Sequence, residues 1–164
     1  MSSAPQFRPV AVAAKRSADD WREAIRLVGE LYEDRGIADC EYTEAMIGAV
    51  EEFGPYMVLV PGVAMPHAKS MNGVHRSGQV VVTLASPVCF GHEANDPVDV
   101  LVSFAVGDPA VGHEGADEAS GDTGVDHMDM IRSLAGVLGD ADLLARVRGA
   151  ADDAALANLF FNNQ

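Results

Sequence analysis

Basic side chains are scarce in this chain. Lysine and arginine number 11 against 25 aspartates and glutamates, a formal net charge of −14 over 164 residues. A general nucleic-acid binder needs a basic face to displace counterions, so that class is excluded. The acidic excess suits a protein whose partners present basic surfaces, and equally one that charge merely keeps soluble. Cysteine is scarce too. Cys40 and Cys89 cannot make a disulfide framework or a four-ligand zinc site, and both are expected as buried thiols of a cytoplasmic protein. No apolar run approaches the length that spans a bilayer, and the N-terminus lacks the apolar centre of a signal peptide although Lys15 and Arg16 are present. Neither membrane insertion nor export is expected. Cofactor signatures are absent as well. Neither Walker nor dinucleotide glycine spacing occurs, and Ser70, Ser77 and Ser86 lack the glycines of a hydrolase elbow. The five histidines include no pair at the spacing of a helical zinc protease, so no metal and no cofactor are expected.

What is present is globular: 48% hydrophobic and 22% charged residues, with enough chain for one domain and a real core. Residues 1–17, with Pro5, Pro9 and no period, are expected to form a loose leader, and residues 18–164 a single domain. Ser17 is a candidate cap for a helix whose stripe is Trp21, Ala24, Ile25, Val28, Leu31 and Tyr32, stopped at Gly36. A second helix is predicted from Tyr42 to Phe53, with Thr43 as its cap and Gly54-Pro55 as its end. Gln79 to Ala85 and Val98 to Val106 are strands, the second interrupted only by Asp99 and Ser103. Residues 107–126, rich in Gly, Ala, Asp and Glu, predict a mobile loop. His127 opens a further helix with Met130, Ile131, Leu134, Ala135, Val137 and Leu138 as its buried stripe. Asp140 or Asp142 starts a short helix through Val147, and Asp152 to Phe161 forms a last one. Helices that precede, follow and flank a few strands predict an α/β class in three layers.

The stretch that organises the chain runs from Met57 to Lys69. Met57-Val58-Leu59-Val60 suits a short buried strand, Pro61-Gly62 a tight turn, and Val63-Ala64-Met65 a second extended piece. Pro66 holds Met65 out of the helical region and fixes its own φ, so a stiff backbone delivers the imidazole of His67. Sites in open α/β sheets commonly lie just beyond the carboxyl ends of strands. By itself His67 is equally a turn histidine serving a neighbouring carbonyl.

Gly62-Val63-Ala64-Met65-Pro66-His67-Ala68 resembles the phosphorylation-site motif of EIIA domains of the phosphoenolpyruvate-dependent sugar phosphotransferase system, mannitol/fructose class. Gly54-Pro55-Tyr56-Met57-Val58-Leu59-Val60-Pro61-Gly62 and Phe90-Gly91-His92-Glu93-Ala94-Asn95-Asp96-Pro97-Val98 look like the ascorbate-type branch. The resemblance runs from about Ala18 to the C-terminus, apart from the 107–126 loop. It implies a three-layer sandwich with a small mixed central sheet. It implies a cytoplasmic phosphocarrier whose His67 takes a phosphoryl group from HPr and gives it to EIIB. That transfer drives uptake of ascorbate or a related sugar acid or pentitol through membrane EIIC. The same chemistry would serve a regulatory module that signals by its phosphorylation state, and a silent site on the same fold is a third reading. A homodimer is compatible with either role.

His127 is the second site candidate. Unsatisfied N–H groups and the helix dipole favour an anion at a helix start, and an imidazole there can donate to a phosphoryl oxygen. The resemblance implies that role; an exposed capping histidine is the alternative. Many fructose- and mannitol-type relatives carry an arginine on the helix before the histidine strand, whereas Glu44 to Phe53 here has none, as in ascorbate-type members. Lys69 and Arg76 are candidate substitutes, as ordinary solvated surface cations would also be. A carbonyl between Lys69 and Asn72 is the expected partner of the other ring nitrogen of His67. Val63, Met65, Ala68 and Met71 are the expected contact patch, with core packing as the alternative for Val63 and Met65. His75, His92 and His113 are weaker candidates: His75 for phosphate or partner, His92 for structure, His113 in the loop.

Overall fold

Five strands lie in the order β1-β4-β5-β3-β2. They are β1 (Ala11–Arg16), β2 (Val58–Val60), β3 (Val63–Ala64), β4 (Gly78–Val88) and β5 (Val98–Ala105). The computed structural model describes residues 9–68, 73–107 and 132–161. The sheet is mixed: β1 runs parallel to β4, β4 antiparallel to β5, β5 parallel to β3, and β3 antiparallel to β2. Helices α1 (Trp21–Asp34) and α2 (Cys40–Phe53) follow β1. A helix over 132–138 (α3), then α4 (Ala141–Gly149) and α5 (Asp153–Phe161), close the chain.

Strand alternation sorts the core into two halves. Val80, Val82, Leu84 and Leu101 pack with Ile25, Val28, Tyr32, Tyr42 and Met46 of α1 and α2. Val81, Val100, Val102 and Phe104 pack with Leu134, Val137, Leu144, Val147 and Leu156 of α3, α4 and α5. Two helical layers thus enclose the sheet, the expected three-layer α/β class. Full burial of a valine or leucine side chain contributes roughly 1.5–3 kcal/mol. A one-residue slip of β4 against β5 would exchange both halves, so the register is strongly fixed.

Several expected boundaries move. Residues 11–16 were assigned to the leader but form β1, hydrogen-bonded in parallel to β4 with Ala11, Ala13 and Ala14 buried. Small residues at an edge strand gave too weak a period to be seen. The α1 cap is Asp20, not Ser17; its carboxylate accepts from the Glu23 N–H. Asp39 caps α2, which starts at Cys40, two residues before the expected Tyr42, and Thr43 is instead buried against Gly29. Both thiols are exposed rather than buried: Cys40 opens α2 beside its cap, and Cys89 follows the end of β4. In α3, Ala135 is exposed, and Ser133 is buried because it accepts from the Gln79 side-chain amide at 3.1 Å. Asp140, of the two candidates, caps α4. Lys69 to Asn72, His113, His127 and residues 108–126 of the expected loop lie outside the described residues.

Candidate functional site

The Pro61-Gly62 turn makes the site's geometry possible. Gly62 has φ +79°, and a Cβ there would fall 2.4 Å from an Arg148 guanidinium nitrogen. Only glycine combines that backbone with that close approach. The turn folds β2 back on β3, and β3 then runs parallel to β5, pairing Val63 with Val100 and Ala64 with Leu101. Chain leaving β3 therefore emerges beside the carboxyl end of β5. His67 sits there, three residues past β3, with its ring stacked on Phe104 at a centroid distance of 5.1 Å and 20° between planes.

Hydrogen bonds hold the backbone of residues 65–68. The Met65 N–H donates to the Met57 carbonyl at 2.8 Å. Ser103 Oγ donates to the Pro66 carbonyl at 2.7 Å, so the Tyr32 hydroxyl must donate to Ser103 Oγ, 2.6 Å away. The Tyr42 hydroxyl donates to the Phe104 carbonyl at 2.9 Å and accepts from the Ala68 N–H at 3.3 Å. The Tyr56 hydroxyl donates to the His67 carbonyl at 3.3 Å. Burial raises the Tyr32 phenol far above its usual range, with the neighbouring Tyr42 adding to the effect, and burial likewise raises Tyr42 and Tyr56. All three stay protonated near neutral pH and remain donors. A buried polar pair left half-satisfied would cost more than it contributes, which makes this network stiff.

The imidazole itself is oriented by its own chain. Nδ1 of His67 lies 2.7 Å from the Met65 carbonyl oxygen. A carbonyl only accepts, so Nδ1 carries the proton and Nε2 the lone pair. The expected orienting carbonyl after His67 is thus replaced by one two residues before it. Pro66 explains the difference: its fixed φ curls the backbone so that residue 65 faces the ring. The resulting half-buried imidazole has a defined tautomer and a nucleophilic nitrogen that needs no proton removed. That arrangement can accept an electrophilic group such as a phosphoryl.

The remaining candidates separate from this centre. His92 accepts from the Ala94 and Asn95 N–H groups through Nδ1, at 3.2 and 3.0 Å, in a turn whose Asp96 carboxylate accepts from Phe90, Gly91 and His92. It is structural, as expected. His75 pairs with Asp39 at 3.3 Å, both more than half-exposed or close to it, which contributes little. Arg76 donates to the Arg35 carbonyl and so serves the C-terminus of α1, not the imidazole. Arg148 grips Asp99 at 2.9 Å and the Pro61 carbonyl at 3.2 Å, fixing the turn that launches β3. Of the expected contact patch, Val63 takes the core-packing alternative, Met65 is half-buried, Ala68 is buried, and Met71 lies outside the described residues. Phe53, Tyr56 and Leu59 are exposed instead, and the Phe53 and Tyr56 rings meet edge-on at 6.2 Å.

Sequence reasoning passed over Tyr32, Tyr42, Ser103 and Phe104 as parts of the site. Ser103 offered the one usable signal. A hydroxyl inside an apolar central strand must have a hydrogen-bond partner. Among the described residues no group of three or more His, Cys, Asp or Glu side chains could hold a metal ion, and no helix is long and apolar enough to cross a membrane.

Known proteins resemble this chain in sequence and fold. The family profile described as "Phosphoenolpyruvate-dependent sugar phosphotransferase system, EIIA 2" matches residues 6–163. The ascorbate-specific PTS system EIIA component of Salmonella paratyphi A is 38% identical over 103 residues, 63% of this chain and 67% of that protein. This chain matches about two thirds of the length of such curated relatives. The solution structure of the mannitol-specific cryptic phosphotransferase enzyme IIA CmtB from Escherichia coli superposes with TM-score 0.75 at 25% identity, covering 96% of this chain and 97% of that one. A complex of enzyme IIAMtl and phosphorylated enzyme IIBMtl from Escherichia coli has the same fold, with TM-score 0.67 at 22% identity over 99% of this chain and 98% of that one. With the match running along nearly the whole chain and the histidine motif seated at the strand ends, the chain belongs to the EIIA type 2 family of the phosphoenolpyruvate-dependent sugar phosphotransferase system.

Proposed function

We propose that the protein is a cytoplasmic phosphocarrier. The phosphohistidine of HPr supplies the phosphoryl group, and Nε2 of His67 takes it. The Nε2 lone pair forms the new N–P bond as the donor's N–P bond breaks, its electron pair returning to the donor nitrogen. Nδ1 keeps its proton throughout. In the second half-reaction the same N–P bond breaks toward a nucleophile on EIIB, and membrane EIIC couples that transfer to uptake. Ascorbate or a related sugar acid or pentitol is the transported class, a choice supported by the ascorbate-specific naming of the curated relatives. The observation that carries the reading is the 2.7 Å contact of Nδ1 with the Met65 carbonyl, because it defines the nucleophilic nitrogen.

His127 is proposed as the donor that stabilises the phosphoryl oxygens. Support comes from its place in the sequence ahead of α3. Ser133 of that helix is tied to Gln79, which pairs directly with Phe104, the ring under His67. In the regulatory reading His67 would be labelled identically; the naming of the relatives favours transport.

The test is incubation with phosphoenolpyruvate, enzyme I and HPr. Acid-labile label is expected on the wild type and none on His67→Ala, with His127→Ala labelled more slowly. An unlabelled wild type, or undiminished labelling of His67→Ala, would overturn the proposal.

A further inference from the structure

The phosphocarrier reading leaves Tyr56 without a part, yet Tyr56 touches His67 twice. Its ring meets the imidazole edge-on at 5.4 Å with 77° between planes, and its hydroxyl reaches the His67 carbonyl at 3.3 Å. The ring therefore lies against the group that moves, and the hydroxyl against the backbone that carries it. Phe104 supplies a second wall by stacking, and it is immobile: buried to 3% exposure, with its carbonyl bonded to Tyr42 and its strand paired to β4 through Gln79. Tyr56 differs in being 37% exposed, on the turn that follows α2 at Gly54-Pro55, where its own N–H is held by the Gly54 carbonyl at 2.8 Å. One wall is thus part of the core and the other stands in the surface.

We propose that Tyr56 is a positioning residue for His67, the outer wall of an aromatic clamp that fixes the imidazole plane and limits water at the phosphorylated ring. The Met65 carbonyl fixes which nitrogen is protonated, but a hydrogen bond along one direction does not by itself stop a ring rocking about it. Two aromatic contacts at a large angle to one another remove that freedom. Nε2 then keeps one direction before and after it carries a phosphoryl group, which is the alignment an in-line displacement needs. Apolar walls also slow hydrolysis, in which water's oxygen bonds to phosphorus, the N–P bond breaks, and inorganic phosphate leaves while the ring nitrogen regains its lone pair. This role rests on the phosphocarrier reading for its purpose, but not for its test.

The test uses phosphoramidate as the phosphoryl donor, so no protein partner is required. The phosphorylated His67 is followed by its own imidazole resonances as the phosphate is lost, across pH. Tyr56→Leu is expected to shorten the lifetime about three- to tenfold, in line with the loss of an aromatic contact, and Tyr56→Phe to stay within about twofold of wild type because the ring remains. The separation between Leu and Phe is expected to persist across the pH range in which both variants are folded. Equal lifetimes in wild type and Tyr56→Leu would overturn the proposal, as would a Phe variant as short-lived as Leu. Failure of HPr to label the wild type while phosphoramidate shows the Leu-to-Phe difference would strike the phosphocarrier reading alone.

Discussion

His67 and His92 carry the same side chain in opposite states. At His67 the Nδ1 proton is donated to the Met65 carbonyl, and Nε2 holds the lone pair. At His92 Nδ1 accepts from two backbone N–H groups, so the proton of the neutral ring sits on Nε2. They also stand at opposite ends of the same strands. The His92 turn meets the beginning of β3 and β5, where the Gly62 N–H donates to the Asn95 carbonyl and Arg148 pairs with Asp99. His67 stands where those strands end, among aromatic rings. Its nitrogen for chemistry is supplied by denying the other one any role but donation, whereas His92 gives its lone pair to the backbone and becomes a piece of turn. A histidine motif acquires function from the hydrogen bond made by the nitrogen that does not react.

Substitutions can break this contrast, and the largest effect is all-or-none. His67→Gln is expected to abolish labelling from phosphoenolpyruvate, enzyme I and HPr, while His92→Gln keeps it. Equal losses in the two would erase the distinction. Next is Ser103→Ala, which strands the Tyr32 hydroxyl and the Pro66 carbonyl in the core; denaturant unfolding should show a loss of about 1–3 kcal/mol, with slower labelling of His67. Gly62→Ala strains the other end, and a stability loss of about 1–2 kcal/mol is expected from the left-handed backbone and the displaced Arg148, with labelling preserved once folded. The smallest effect lies away from both histidines. The Ala14 N–H, followed by the Arg16 guanidinium, holds the Asp153 carboxyl below its usual 3.8, despite an opposing desolvation effect. A depressed folded value means stability present above about pH 4 and lost as pH falls through that folded value. Asp153→Asn should flatten the acid limb of the stability curve slightly and leave labelling at neutral pH unchanged.

Much of the site was legible in sequence because it is local. Pro61-Gly62, Pro66 and His67 lie within seven positions, and proline and glycine constrain the backbone wherever they stand. The strands β4 and β5 announced themselves by β-branched runs. What escaped depends on residues distant in the chain. Tyr32 meets Ser103 across 71 positions and Tyr42 meets Phe104 across 62, and nothing in a helical stripe says which buried tyrosine will hold a loop. β1 escaped for a different reason: three alanines among short valine steps look like leader until a parallel neighbour pairs with them. The caps Asp20 and Asp39 lie three and four residues from the expected Ser17 and Thr43, since Ser17, Asp19 and Asp20 compete at α1 and Asp39 and Thr43 at α2.

Nitrogen-15 NMR of the two imidazoles at neutral pH, read through the couplings of the ring carbons' protons to Nδ1 and Nε2, is the most direct measurement. The account predicts a neutral His67 protonated at Nδ1 and a neutral His92 protonated at Nε2. A His67 protonated mainly at Nε2 would leave no lone pair where the phosphoryl group must bind, and would contradict it.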